Sequence, residues 1–163
     1  MAELIGLTGK SGAGKTKVCQ DIIQVANRAD LSVFGLYCPG VFDGEEKIGI
    51  EVRLLPGEVT YLLGSLEKQK NWQPIGRWWM NPNVFELVNN HLRTYTSSDL
   101  LLIDEIGPAE IEGHQGWCGA LNVLKDNHFQ EHRANRPQKK AHVALHAANQ
   151  LLSKPDPQPK VSY

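Results

Sequence analysis

The sequence predicts an α/β domain of three layers, with a mainly parallel sheet and one antiparallel hairpin. Three observations predict it. An apolar run, Glu3-Leu-Ile-Gly-Leu-Thr8, leads through a glycine-rich stretch into residues whose apolar positions recur at helical spacing. A second apolar run, Leu100-Leu-Leu-Ile103, ends abruptly in Asp104-Glu105. Between them, two β-rich segments flank Asp43-Gly44, a dipeptide that favours tight hairpin turns.

Taken in order, the first run is bounded by glycine and suits a short buried strand. Val18, Ile22, Val25, Ala26 and Ala29 then mark an amphipathic helix from Lys15 to about Arg28. Leu31 to Cys38 reads as a second strand, ended by Pro39-Gly40, and Lys47 to Leu55 returns as the far arm of the hairpin, closed by Pro56-Gly57. Residues 58–80 give no clear period, although Arg77-Trp-Trp-Met80 fits a strand. Asn81-Pro82 starts a helix, with a capping amide at 81 and proline in the first turn, and Val84, Val88, His91, Leu92 and Tyr95 form its stripe. After the polar break Thr96–Asp99 comes the strand that carries Asp104 at its end. No internal repeat is visible.

Charge and length narrow the class. A chain of 163 residues encloses a core without a disulfide or metal staple, and one domain is the expected count. With 17 basic and 18 acidic side chains, the basic surface of a general nucleic-acid binder is missing, and no specific nucleic-acid binding is expected. No apolar run approaches the roughly 20 residues that span a bilayer, and the residues before Gly6 do not read as a signal peptide. Cys19, Cys38 and Cys118 form no C-x-x-C pair and read as reduced thiols, which places the protein in the cytoplasm. The near-neutral total is uneven, however. Residues 1–125 carry 11 basic and 15 acidic side chains, whereas 126–163 carry six and three, together with four of the nine prolines and four of the six histidines. The expected division is a catalytic domain over 1–125 and a polar, weakly ordered tail over 126–163, in which Ala141, Leu145, Ala148 and Leu152 space one short helix.

Gly9-Lys10-Ser11-Gly12-Ala13-Gly14-Lys15-Thr16 matches the phosphate-binding pattern G-x-x-x-x-G-K-[ST], or Walker A, in full, with a strand before it and a helix after it. Glycines let the backbone bend around a polyphosphate and turn its N–H groups inward at the positive end of the following helix. Lys15 is placed to reach the β- and γ-phosphates, and the Thr16 hydroxyl to sit on Mg²⁺. A buried strand delivers Asp104 where open α/β sheets bind ligands, so Asp104 is expected to hold Mg²⁺ through water. Glu105, one residue on, is placed to orient and deprotonate a water that attacks the γ-phosphate. The substrate is then a nucleoside triphosphate, the cofactor Mg²⁺, and the fold class a three-layer P-loop NTPase.

Among phosphate-loop proteins, a GTPase is disfavoured because no N-K-x-D guanine signature occurs, although Asp104-Glu-Ile-Gly107 fits D-x-x-G. A partitioning-type dimeric ATPase matches Lys10 but not the Ser11 after it. A small-molecule kinase needs a lid, often arginine-rich, and residues 107–125 contain no arginine. A hydrolase using Glu105 fits best. The alternatives kept open are a nucleotide-binding regulatory or non-hydrolysing relative and a small-molecule or nucleoside kinase.

The combination resembles the cancer-related nucleoside-triphosphatase family. The matching stretches are Gly6–Thr16, Gly35-Leu-Tyr-Cys-Pro-Gly40 running into Lys47-Ile-Gly-Ile50, Gly76–Phe85, and Leu101-Leu-Ile-Asp-Glu-Ile-Gly107, in the family's order and covering roughly residues 3–125. The resemblance implies Mg²⁺-dependent hydrolysis of several nucleoside triphosphates, ATP, GTP and CTP among them, with weak base selectivity. Lys15, Thr16, Asp104 and Glu105 carry over onto matching positions. After Leu124 the likeness fades, and the tail offers no strong parallel strand. The expectation is an incomplete C-terminal part, as a shifted reading frame or alternative ending produces, and hence a marginally stable protein.

Several other residues read as ordinary structure. His128 with His132, and His142 with His146, have the i, i+4 spacing of helix-borne metal ligands but no obvious third ligand. Trp78 and Trp79 read as packing before base stacking, and Arg53 and Arg77 as structural before transition-state arginines. Cys19 lacks a base partner and reads as core.

Overall fold

The computed structural model describes residues 3–7, 9, 12–57, 59–106, 116–125 and 142–147. The chain order is β1 (Glu3–Gly6), α1 (Lys15–Arg28), β2 (Val33–Tyr37), β3 (Gly40–Asp43), β4 (Glu46–Leu55), β5 (Val59–Ser65), β6 (Gln73–Ile75) and β7 (Trp78–Met80), then α2 (Pro82–Arg93), β8 (Leu100–Ile106), α3 (Cys118–Lys125) and β9 (His142–Ala147). All nine strands share one sheet, in the order β1-β9-β8-β2-β4-β5-β7-β6, with β3 paired to β4.

The two halves of this sheet differ. β1, β9, β8 and β2 run parallel, whereas every pairing from β2 outward is antiparallel. The sheet is therefore mixed, which corrects the expectation of a mainly parallel one. The expected β3–β4 hairpin is present, with Asp43 opposite Glu46, and β4 continues past it to pair with β2. Residues 58–80 then supply three more strands, β5, β6 and β7, whose period is obscured by Gly64, Pro74 and Gly76. Antiparallel neighbours need only short turns, so this half adds strands without crossover helices.

Strand alternation builds the three layers. Leu100 and Leu102 of β8 join Cys19, Ile23 and Ala26 of α1 in one core cluster. Leu101 and Ile103, one residue out of phase, join Val88 and Leu92 of α2 and Ala120 of α3 in the other. Leu101, Leu102, Ile103 and Leu92 have no exposed surface, and each such side chain contributes about 1.5–3 kcal/mol relative to exposure. The strand starts are tied together as well: Asp99 Oδ2 accepts from the Ser32 N–H at 2.9 Å and the Ser32 hydroxyl at 2.8 Å, which holds β2 and β8 in register.

Helix starts obey the sequence more closely than helix faces do. The Asn81 side chain caps α2 by accepting from Asn83 N–H at 3.1 Å, with Pro82 in the first turn. α1 has the expected limits, but its buried face is Lys15, Cys19, Ile23 and Ala26, while Val18 and Val25 are exposed. The loop sets this phase: once Lys15 turns into the loop, positions four and eight residues on must face inward with it.

The C-terminal segment departs furthest from expectation. Residues 142–147 form a strand, not part of a helix over 141–152, and it lies between β1 and β8, parallel to both. Leu4 and Leu101 both pair with Val143, and Ile5 and Leu102 with Ala144. Two strand edges awaiting a partner outweigh the local preference of an alanine-rich segment, so the tail does supply a parallel strand. Histidines four apart on a strand stand about 13 Å apart, which removes the helix-face metal site at His142 and His146. His128, His132 and the rest of the segment expected to be weakly ordered lie outside the described residues.

Candidate active site

The phosphate loop joins β1 to α1. Gly12 and Gly14 have φ of 78° and 87°, and Gly14 is the N-cap of α1, whose first internal bond runs from Val18 N–H to Gly14 O at 3.0 Å. No side chain caps this end and no acidic residue occupies the first turn, so the positive helix end opens onto the loop. Lys15 is buried, and its Nζ donates to Gly9 O at 2.7 Å, across the loop. Gly9, Gly12, Ala13 and Gly14 are exposed and Thr16 is half-buried; Lys10 and Ser11 lie outside the described residues.

β8 supplies the acidic pair by a local irregularity. Asp104 continues the alternation of Leu100 and Leu102 and so lies on the α1 face, without exposed surface. Its Oδ2 accepts from the Cys38 N–H at 3.0 Å, just past the end of β2. The register to β9 then slips: Ile103 opposes Leu145 and Ile106 opposes Ala147, three residues on β8 against two on β9. Glu105 carries this bulge at φ 70°, which exposes its side chain and turns Ile106 into the α2-side core. Left-handed backbone costs a non-glycine residue about 1–2 kcal/mol, and such strain clusters at functional sites.

Two thiols report where these groups converge. Burial, and after it the charge of Asp104, pushes the Cys19 thiol up to about 12. Cys19 is one helical turn beyond Lys15 on the same face of α1, so Asp104 and Lys15 address the same space. The fully buried Cys38 thiol is also raised, by burial first and then by Asp104 and Glu105, while Lys47 acts in the opposite direction. Both thiols are thus protonated core groups, as read for Cys19. The Thr16 hydroxyl and Asp104 carboxylate form a hard oxygen pair that suits a divalent cation completed by phosphates and water. Among the described residues no three His, Cys, Asp or Glu side chains cluster as a metal cage.

The other singled-out residues lie elsewhere. Arg53 donates to the Tyr37 hydroxyl at 3.5 Å and to Glu51 Oε2 at 3.3 Å, and lies over the Tyr37 ring. Arg77 donates to Lys47 O at 3.0 Å and stacks on Trp78 at 4.7 Å. Trp78 packs against the α2-side core, and Trp79 carries Lys68 at 5.4 Å. Lys47 is the residue that sequence reasoning missed, because no motif marks it. A cavity of about 430 Å³ lined by Gln73, Phe85, Glu86 and Arg93 opens beside α2, on the sheet face opposite α1. Among the described residues no helix is long and apolar enough to cross a membrane.

Known proteins share both sequence and architecture with this chain. It is 30% identical over 105 residues to nucleoside-triphosphatase THEP1 of Sulfurisphaera tokodaii, covering 64% of this chain and 61% of that one. It is 30% identical over 129 residues to nucleoside-triphosphatase THEP1 of Methanopyrus kandleri, covering 78% and 70%. The matched part thus spans under two thirds of the Sulfurisphaera relative's length. The fold matches the solution structure of a human cancer-related nucleoside triphosphatase with a TM-score of 0.63 at 21% identity, over 94% of this chain and 79% of that one. THEP1 from Aquifex aeolicus matches with a TM-score of 0.61 at 17% identity, over 91% and 78%. A family model described as NTPase matches residues 4–127, a span that holds both the phosphate loop and the Asp104–Glu105 bulge, and the chain belongs to that family.

Proposed function

We propose that the chain hydrolyses nucleoside 5′-triphosphates to the diphosphate and phosphate, with Glu105 activating the water. The observation that carries this reading is the β8 bulge, which keeps Asp104 buried and sets Glu105 out beside it at a left-handed backbone position. Residues with other duties have no call for such strain, whereas a base must reach a water that its buried neighbour does not.

Loop amides from Gly12 to Thr16 and the Lys15 ammonium bind the β- and γ-phosphates. The Gly9 carbonyl that Lys15 now bonds stands where a phosphate oxygen would be, and nucleotide binding exchanges one acceptor for the other. Mg²⁺, which Thr16 and Asp104 would hold, neutralises charge on the phosphate oxygens when bound. Glu105 takes a proton from the attacking water, whose oxygen bonds to the γ-phosphorus. The bond from that phosphorus to the β–γ bridging oxygen breaks, and the electron pair leaves with the diphosphate. Specificity rests on the phosphates, which accords with weak base selectivity. The proposed setting is the cytoplasm, where Cys19, Cys38 and Cys118 stay reduced.

Phosphate release from ATP, GTP and CTP with Mg²⁺ tests the proposal. Glu105→Gln should lower turnover at least about 100-fold while nucleotide binding survives. Lys15→Ala should lose both. Binding without phosphate release above background would leave a regulatory module, and turnover that requires a second, hydroxyl-bearing substrate would make the protein a kinase.

A further inference from the structure

The β3–β4 hairpin brings a cation to the acidic pair. Lys47 stands opposite Phe42, and its Cε lies 2.8 Å from the point a β-carbon on residue 40 would occupy. Gly40 is two residues past Cys38, whose N–H is held by Asp104. The lysine stem therefore crosses the chain just beyond the buried carboxylate. Electrically the ammonium belongs to the same neighbourhood, since it draws the Cys38 thiol down while Asp104 and Glu105 push it up.

The hairpin holds this lysine from two sides. Arg77 Nη2 bonds the Lys47 carbonyl at 3.0 Å and its guanidinium lies 4.7 Å from the Trp78 ring centre. Lys47 Nζ lies 5.6 Å from the centre of the same ring. Two cations on one indole repel each other, and an anion brought between or beside them removes that cost. Among the described residues the ion pairs are Lys17–Asp21 and Arg53–Glu51, so neither Lys47 nor Arg77 is paired with a carboxylate there. Arg53, the other basic candidate, already has Glu51 and the Tyr37 hydroxyl.

We propose that Lys47 meets the terminal phosphate of the bound nucleotide during cleavage, with Arg77 and Trp78 as positioning residues that hold it there. This rests on the hydrolase reading above and adds a cation on the side of the γ-phosphoryl group away from Lys15. Charge in that transition state spreads over three equatorial oxygens, and a second cation lowers its energy where the loop lysine does not reach. No partner molecule is then needed to lend an arginine.

The test compares wild type with Lys47→Met, Lys47→Arg and Arg77→Met for turnover, KM, melting temperature and binding of fluorescent ADP with and without aluminium fluoride, the planar mimic of the transferring phosphoryl group. Lys47→Met should lower kcat at least about 100-fold and abolish the tightening of ADP by aluminium fluoride. Its affinity for ADP alone and its melting temperature should match wild type. Lys47→Arg should recover most of the loss, and Arg77→Met should fall between. A Lys47→Met enzyme within about 3-fold of wild-type kcat, or one that still tightens on ADP with aluminium fluoride, overturns the proposal. If wild type itself releases no phosphate, the hydrolase reading fails separately. Lys47 is then judged by binding alone: a selective loss of ATP over ADP affinity in Lys47→Met supports the contact, and equal affinities for wild type and variant refute it.

Discussion

Glu105→Gly separates the chemistry of residue 105 from its backbone. At φ 70° a side chain of any L residue crowds the following carbonyl, at a cost of about 1–2 kcal/mol. Glycine removes that cost but adds freedom to the unfolded chain, worth about 0.4–1 kcal/mol against folding. The balance favours Glu105→Gly over Glu105→Ala by about 0.8 kcal/mol, or roughly 2–3 °C in melting temperature for a domain of this size. Alanine is the proper reference because both variants delete the carboxylate and all its contacts, and only one keeps the β-carbon. Thermal and urea unfolding measure the difference, and phosphate release shows both variants inactive. A Glu105→Gly protein equal to or less stable than Glu105→Ala would show that the bulge is unstrained, and the argument that strain marks this residue as functional would fall.

Two further predictions follow from packing. A β-carbon on Gly35, at φ 125°, would lie 1.9 Å from Leu102 O and 2.8 Å from its carbonyl carbon, inside the β2–β8 ladder. Gly35→Ala should destabilise the protein by at least about 3 kcal/mol, read as a lower urea midpoint or loss of soluble protein, and a drop under 1 kcal/mol would contradict the close approach. For the thiols, a Cys19 value raised from 9.0 to about 12 means roughly a thousandfold less thiolate at pH 8. Native protein should therefore alkylate at the half-buried Cys118 long before Cys19 or Cys38, as mass spectrometry of iodoacetamide-treated protein will show. Because the folded state holds the Cys19 proton more tightly than the unfolded state, its contribution to stability is complete below pH 9 and is lost as pH rises from 9 towards 12. Cys19→Ala should flatten that alkaline decline.

Much of the site was legible because its chemistry fixes residue types at fixed spacing. Gly14-Lys15-Thr16 and Leu100–Glu105 announce a loop, a helix start and a strand end without any tertiary information. Other features depend on contacts that no local pattern carries. The stripe Val18, Ile22, Val25 is as apolar as the true inner face of α1, and only the obligation of Lys15 to face the loop chooses between them. β5, β6 and β7 are short, interrupted by glycine and proline, and half-exposed, so their period is faint. β9 is a strand only because β1 and β8 present open edges on either side of it. Lys47 was invisible for a related reason: a hairpin bulge between Val41 and Phe42 and a contact with residue 77 decide where it points.

The position of β9 bears on why the site has the width it does. Adjacent strands are about 4.8 Å apart, so a strand placed between β1 and β8 separates them by about 9–10 Å. The loop after β1 must wrap a polyphosphate, and Asp104 after β8 must address an ion on that phosphate from the side. Were β1 and β8 neighbours, loop and carboxylate would contend for the same volume. With one strand between them there is room for phosphate, ion and water, while Cys19 and Cys38 seal the floor beneath. Among the described residues β1 bonds to no strand but β9, so the Lys15 half of the site is joined to the Glu105 half through residues 142–147. The segment least like the rest of the chain in composition thus sets the geometry on which its most recognisable motifs depend.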